Sequence, residues 1–124
     1  MTSNRDSLRQ LSAALRALHA RLLAATRRGF EKLHGRIDSS GEMLQLAISD
    51  PLFAWLHPLS EAIVELDELA ADPDADDAAF DAARDAVARL LENDGAFHAS
   101  YLVYLQSDAD TVLAHGAVRR LLQS

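Results

Sequence analysis

Apolar residues recur at steps of three and four along the first part of the chain: Leu8, Leu11, Leu15, Leu18 and Leu22, continuing through Thr26, Phe30, Leu33 and Ile37. That spacing follows the period of an α-helix and sets a leucine stripe on one face, a seam for packing on other helices. Ser3-x-x-Asp6 reads as a capping-box start, and Gly35 after His34 as the stop. A second phase opens at the box Ser39-x-x-Glu42 and runs Leu44, Ile48, Leu52, Leu56, Leu59, Ile63, Leu66 and Ala70. It crosses Pro51 and Pro58 in step. Asp50-Pro51 reads as a cap with proline at the first helical position, and Pro58 as a kink. Two outcomes fit: one kinked helix over 40–70, or a short helix joined to a longer one. Glu61, Glu65 and Glu68 fall opposite this seam and should face water.

The segment Ala71-Asp72-Pro73-Asp74-Ala75-Asp76 is a turn by composition. Asp76 or Asp77 should cap a third helix to about Glu92, with Phe80, Ala83, Val87, Leu90 and Leu91 inward and Asp77, Asp81, Asp85 and Glu92 outward. Asn93-Asp94-Gly95 should end it. A fourth helix starts near Ala96 and carries Phe97, Tyr101, Leu102, Tyr104 and Leu105. Ser107-x-x-Asp110 has the spacing of a new cap, so Val112 to Leu122 is either a continuation or a short fifth helix. Short connections between amphipathic helices favour antiparallel neighbours. The expectation is an all-α, up-and-down four-helix bundle forming one domain over 1–124.

Composition agrees with the periodicity. Ala and Leu, strong helix formers, dominate; the β-branched residues that sheets favour are sparse. The absence of Cys excludes disulfides and thiolate chemistry. The net charge of −7 is unevenly laid out: residues 1–36 sum to +6 and residues 37–110 to −15. Arg5, Arg9, Arg16 and Arg27 fall on one line of the first helix. The simplest account is that basic and acidic segments pack side by side. An acidic chain with few aromatic residues beside that line is a poor nucleic-acid binder. No apolar run is long enough to span a bilayer, and the first helix offers Leu rather than Trp on an apolar face that the core requires.

Catalytic and metal-binding patterns are missing. The five His residues, His19, His34, His57, His98 and His115, form no His-x-x-x-His pair. A single Glu-x-x-His, Glu31 to His34, is half of what a di-metal carboxylate bundle needs. No Gly-x-Ser-x-Gly and no glycine-rich phosphate loop occurs. The expectation is no enzyme, no cofactor and no metal.

The densest feature is Asp50-Pro51-Leu52-Phe53-Ala54-Trp55-Leu56-His57-Pro58, which holds the one Trp. Its apolar residues cover more than one helix face, and Leu46, Phe53 and Val64 make a second line beside the main seam. Tyr101-Leu102-Val103-Tyr104-Leu105 is likewise apolar all round. Either these stretches are thoroughly buried, or they leave a packing surface for a partner or a second copy. The candidate interaction residues are Phe53, Trp55, His57, Val64, Tyr101 and Tyr104.

The stretch Asp50 to Glu68 (DPLFAWLHPLSEAIVELDE), with the tail around Asp108-Ala109-Asp110-Thr111-Val112, resembles a group of small uncharacterised all-helical proteins of Gram-negative bacteria. The likeness spans about half of the chain. It implies a bacterial, cytoplasmic protein and carries over no site residue. The expected function is that of a non-enzymatic interaction or adaptor protein whose partner is another protein or a second copy, with no nucleic acid and no membrane. The alternative is a small-ligand sensor with a pocket at the Pro58 kink, lined by Trp55, His57 and Tyr101.

Overall fold

The computed structural model describes residues 3–92 and 95–123, and every regular element among them is helical. The helices are α1 (Asn4–His34), α2 (Ser40–Ser49), α3 (Pro51–Ala54), α4 (His57–Ala71), α5 (Asp77–Glu92), α6 (Ala96–Ser107) and α7 (Ala109–Gln123). The all-α expectation holds. The chain is more finely broken than the expected four helices and a possible fifth, and each extra break has a local cause.

Helix α1 runs unbroken for 31 residues. The Ser3 hydroxyl accepts from the Asp6 N–H at 3.1 Å, and Gly35, at φ 89°, ends the helix in a conformation that side chains resist. Its five-leucine stripe is fully enclosed. The stripe ends at Phe30: Leu33 is 73% exposed, while Ile37 is buried from the following loop rather than from the helix. Arg27 Nη2 holds that loop by donating to the Ile37 carbonyl at 3.2 Å.

The expected continuous phase over 44–70 does not exist. Asp50 is extended (φ −85°, ψ 132°), and its side chain accepts from the Leu52 N–H at 2.9 Å, so Pro51 starts a new four-residue helix. A further turn at Trp55 and Leu56 ends that helix. Pro58 then sits in the first turn of α4, where its missing N–H has no carbonyl to serve; it starts a helix instead of kinking one. Each break resets the rotation of the chain. Leu44, Ile48 and Leu52 therefore face outward, and Leu46 and Phe53 turn inward in their place. From Leu56 onward the expected seam is correct: Leu56, Leu59, Ile63, Leu66 and Ala70 are all buried.

Helix α5 is capped by Asp76, which accepts from the Ala79 N–H at 2.9 Å, and buries Phe80, Val87 and Leu91. The expected stop at Asn93–Asp94 lies outside the described residues. The last break is made by Asp108 rather than Ser107: its carboxylate accepts from the Thr111 N–H at 3.2 Å and hydroxyl at 2.5 Å. Helix α7 is thus a separate 15-residue helix.

The main core gathers the α1 leucines with Leu56, Leu59, Leu66, Phe80, Val87, Leu91, Tyr101 and Val118. A second, smaller cluster of Phe30, Ile37 and Phe53 lies beneath α2, packed by Met43 and Leu46. Contacts fix the direction of the first pair. Arg5 meets Ala70, Ser12 meets Asp67 and His19 meets Ser60, so α4 runs back along α1. Arg28 bonds Asp108 at 3.3 Å, which puts the start of α7 beside the end of α1. Arg84 of α5 donates to the Leu121 carbonyl near the end of α7.

The α1 arginine line is absorbed by this packing. Arg5 Nη1 donates to the carbonyls of Ala70 (2.7 Å) and Asp72 (2.8 Å), and its guanidinium lies 5.1 Å from the Phe80 ring. Arg9 adds a 3.4 Å contact to the Ala70 carbonyl, Arg16 pairs with Asp67, and Arg27 pairs with Glu31. The carbonyls left unpaired at the end of α4 are served by cations from a neighbouring helix.

Candidate functional site

The six candidate residues separate into interior and surface. Phe53 is 1% exposed and Tyr101 is fully enclosed, so both are core residues rather than contact residues. Phe53 packs 5.6 Å from Phe30. The Tyr101 hydroxyl lies 2.6 Å from His115 Nδ1, and burial pushes its pKa well above the usual phenol value. Val64 is exposed on α4, flanked by the exposed Glu61, Glu65 and Glu68. His57 is exposed and plays a structural part. Its Nε2 donates to the Ala47 carbonyl at 3.1 Å, tying α2 to the start of α4.

Trp55 and Tyr104 do come together. Their rings stack at 5.3 Å with 4° between planes, and Trp55 also touches Phe97 at 5.3 Å. Both are half-buried. They line a groove of about 240 Å³ between α3 and α6, with Pro51, Leu52, Ser100 and Val103. The groove continues onto the outer face of α6. That helix has no Asp, Glu, Lys or Arg in its twelve residues, and Ala99, Leu102, Val103 and Gln106 are exposed along it. A helix apolar all round belongs in an interior; α6 instead carries part of that surface to solvent. Leu52, Leu102 and Val103 lie in the two apolar stretches singled out in the sequence, but only Tyr101 and Tyr104 of α6 stood among the candidates. The missing charge in α6 was the available signal.

The pocket expected at Pro58 is lined differently. A cleft of about 220 Å³ there is walled by Glu61, Glu65, Ala83, Val87 and Leu90; Trp55, His57 and Tyr101 do not line it. Among the described residues no buried side-chain nitrogen or oxygen lacks a hydrogen-bond partner. Ser60 Oγ and His19 Nε2 are 3.0 Å apart, and burial lowers the His19 pKa. Hydrogen bonds from Arg16 and then Ser12 hold Asp67 below its usual carboxylate range. Glu31 is engaged by Arg27, and the His34 ring rests 4.7 Å from Phe30. Among the described residues no three His, Asp or Glu side chains are placed to hold a metal ion, and no helix is long and apolar enough to cross a membrane.

Comparison with protein-family profiles, with curated proteins and with solved structures found no match for this chain.

Proposed function

We propose that this protein acts by protein–protein contact, without catalysing a reaction, and that its first partner is a second copy of the chain. The reading rests on the charge-free outer face of α6 and the adjoining Trp55–Tyr104 groove. Interface centres are poor in charge and rich in aromatic anchors, as this face is. A two-fold pairing would set the Ala99–Val103 ridge of each copy, exposed on that face, into the α3/α6 groove of the other. The seven helices serve this as four rods in up-and-down order: α1, then α2 to α4, then α5 with α6, then α7. The cytoplasmic setting implied by the sequence resemblance belongs to the same proposal.

A twelve-residue helix is about 18 Å long, so α6 alone falls short of the roughly 800 Å² per partner of a stable interface. The contact extends over Leu52 and Trp55 and is weak, with Kd in the micromolar range, about 10⁻⁶–10⁻⁴ M. Sedimentation velocity across about 1–500 µM tests it. The untouched chain should shift from monomer to dimer, Val103→Asp should remain monomeric, and Val64→Asp on α4 should behave as the parent. A monomer at every concentration, or a dimer indifferent to Val103→Asp, overturns the proposal.

A further inference from the structure

A second groove, of about 390 Å³ and open to solvent, lies where the end of α5, the helix α6 and the helix α7 meet. It is separate from the α3/α6 groove. At 100° per residue, His98, Leu102 and Leu105 occupy the side of α6 opposite Ser100, Val103 and Tyr104. Leu91, Leu102 and Leu105 supply apolar wall. Glu92 and Arg119, both exposed, supply one charge of each sign, and neither is held in an ion pair among the described residues. An apolar surface with a few convergent polar groups is the usual make-up of a small-molecule site, and this volume suits a small ligand.

The two imidazoles are oriented from behind. His98 Nδ1 donates to the Leu91 carbonyl at 2.8 Å, which leaves Nε2 as an acceptor when the ring is neutral. His115 Nδ1 is engaged by the buried Tyr101 hydroxyl at 2.6 Å; with the phenol donating, His115 Nε2 carries the proton. The site therefore offers cationic and N–H donors at Arg119 and His115, and acceptors at Glu92 and His98. A ligand that matches must carry an anion, a cation and an apolar body within a few atoms of each other.

We propose that this groove binds an α-amino acid with an aliphatic side chain, its carboxylate on Arg119, its ammonium on Glu92 and its side chain against Leu102 and Leu105. The pairing with Arg119 is of the bidentate kind that distinguishes Arg from Lys at carboxylate sites. Binding here does not depend on self-association.

The test is titration of the full chain with L-leucine, followed by amide chemical shifts. Isocaproate, which lacks the ammonium, and isoamylamine, which lacks the carboxylate, serve as the comparison probes. L-leucine should give saturable shifts at Glu92, His98, His115 and Arg119 below about 10 mM, and both truncated probes should bind at least about tenfold more weakly. Arg119→Ala and Glu92→Gln should each weaken L-leucine by about tenfold. Glu92→Gln should leave isocaproate unchanged, and Val103→Asp should bind L-leucine as the parent does. Absence of saturable shifts at these residues, equal binding of all three probes, or binding indifferent to Arg119→Ala overturns the proposal.

Discussion

Arg5 of α1 serves several carbonyls at the end of α4, and replacing it by Ala gives a measurable forecast. One guanidinium nitrogen serves the Ala70 and Asp72 carbonyls at 2.7 and 2.8 Å, with Leu69 at 3.5 Å, and the group lies over the Phe80 ring. Hydrogen bonds from a charged donor contribute about 1.5–3 kcal/mol when buried. Arg5 is only half-buried, and water can replace part of what is lost. Cation–π contact adds about 0.5–1 kcal/mol. Arg5→Ala should therefore cost about 2–3 kcal/mol. With a urea slope of about 2 kcal/mol/M, the unfolding midpoint should fall by about 1–1.5 M, with the slope unchanged. Arg5→Lys keeps the charge and several donors on one nitrogen, but its side chain is shorter and it has no planar group to lay over Phe80, so it should recover about half of the loss. Gln10→Ala, on an exposed position of the same helix, is the control. Equilibrium urea unfolding followed by circular dichroism at 222 nm reads all three. A loss below about 0.5 kcal/mol for Arg5→Ala, the range of ordinary surface changes, would refute the idea that the α1 arginines bind the end of α4.

Two further outcomes follow from the interior polar and aromatic residues. Phe53→Ala should cost about 3–5 kcal/mol by emptying the small cluster beneath α2, and its folded fraction should dimerise like the parent; a loss under about 1 kcal/mol would show that Phe53 does not pack there. His19 and His115 have pKa values lowered from 6.5 by burial, so the unfolded chain takes up protons first on acidification. Stability should be full above pH 6.5 and fall as pH drops below it, with a second fall below pH 3.8 as Asp67, held low by Arg16, is protonated. The double variant His19→Gln/His115→Gln should flatten the first fall in urea midpoints, and an unchanged slope would contradict the assignment.

The amino-acid order alone determined the helical character of the chain and the inner face of its longest helices. From Leu8 to Leu22 and from Leu56 to Ala70, spacing of apolar residues named the buried face without error, because an unbroken helix advances by a constant angle. The same counting failed between Leu44 and Leu52 for the same reason: one extended residue, Asp50, and one turn at Trp55–Leu56 each rotate the chain by an amount the pattern does not encode. Caps were legible where a Ser or Asp bonds its own next turn, as at Ser3, Ser39 and Asp76. Partners distant in sequence were not. Nothing local tells Arg5 that the carbonyls of Ala70 and Asp72 will lie beside it, or His115 that its ring will meet Tyr101. The assembled helices also decided which aromatic residues stay reachable. Phe53 and Tyr101 fall between rods and are enclosed, while Trp55 and Tyr104, on the rim of the same rods, keep one side open to solvent.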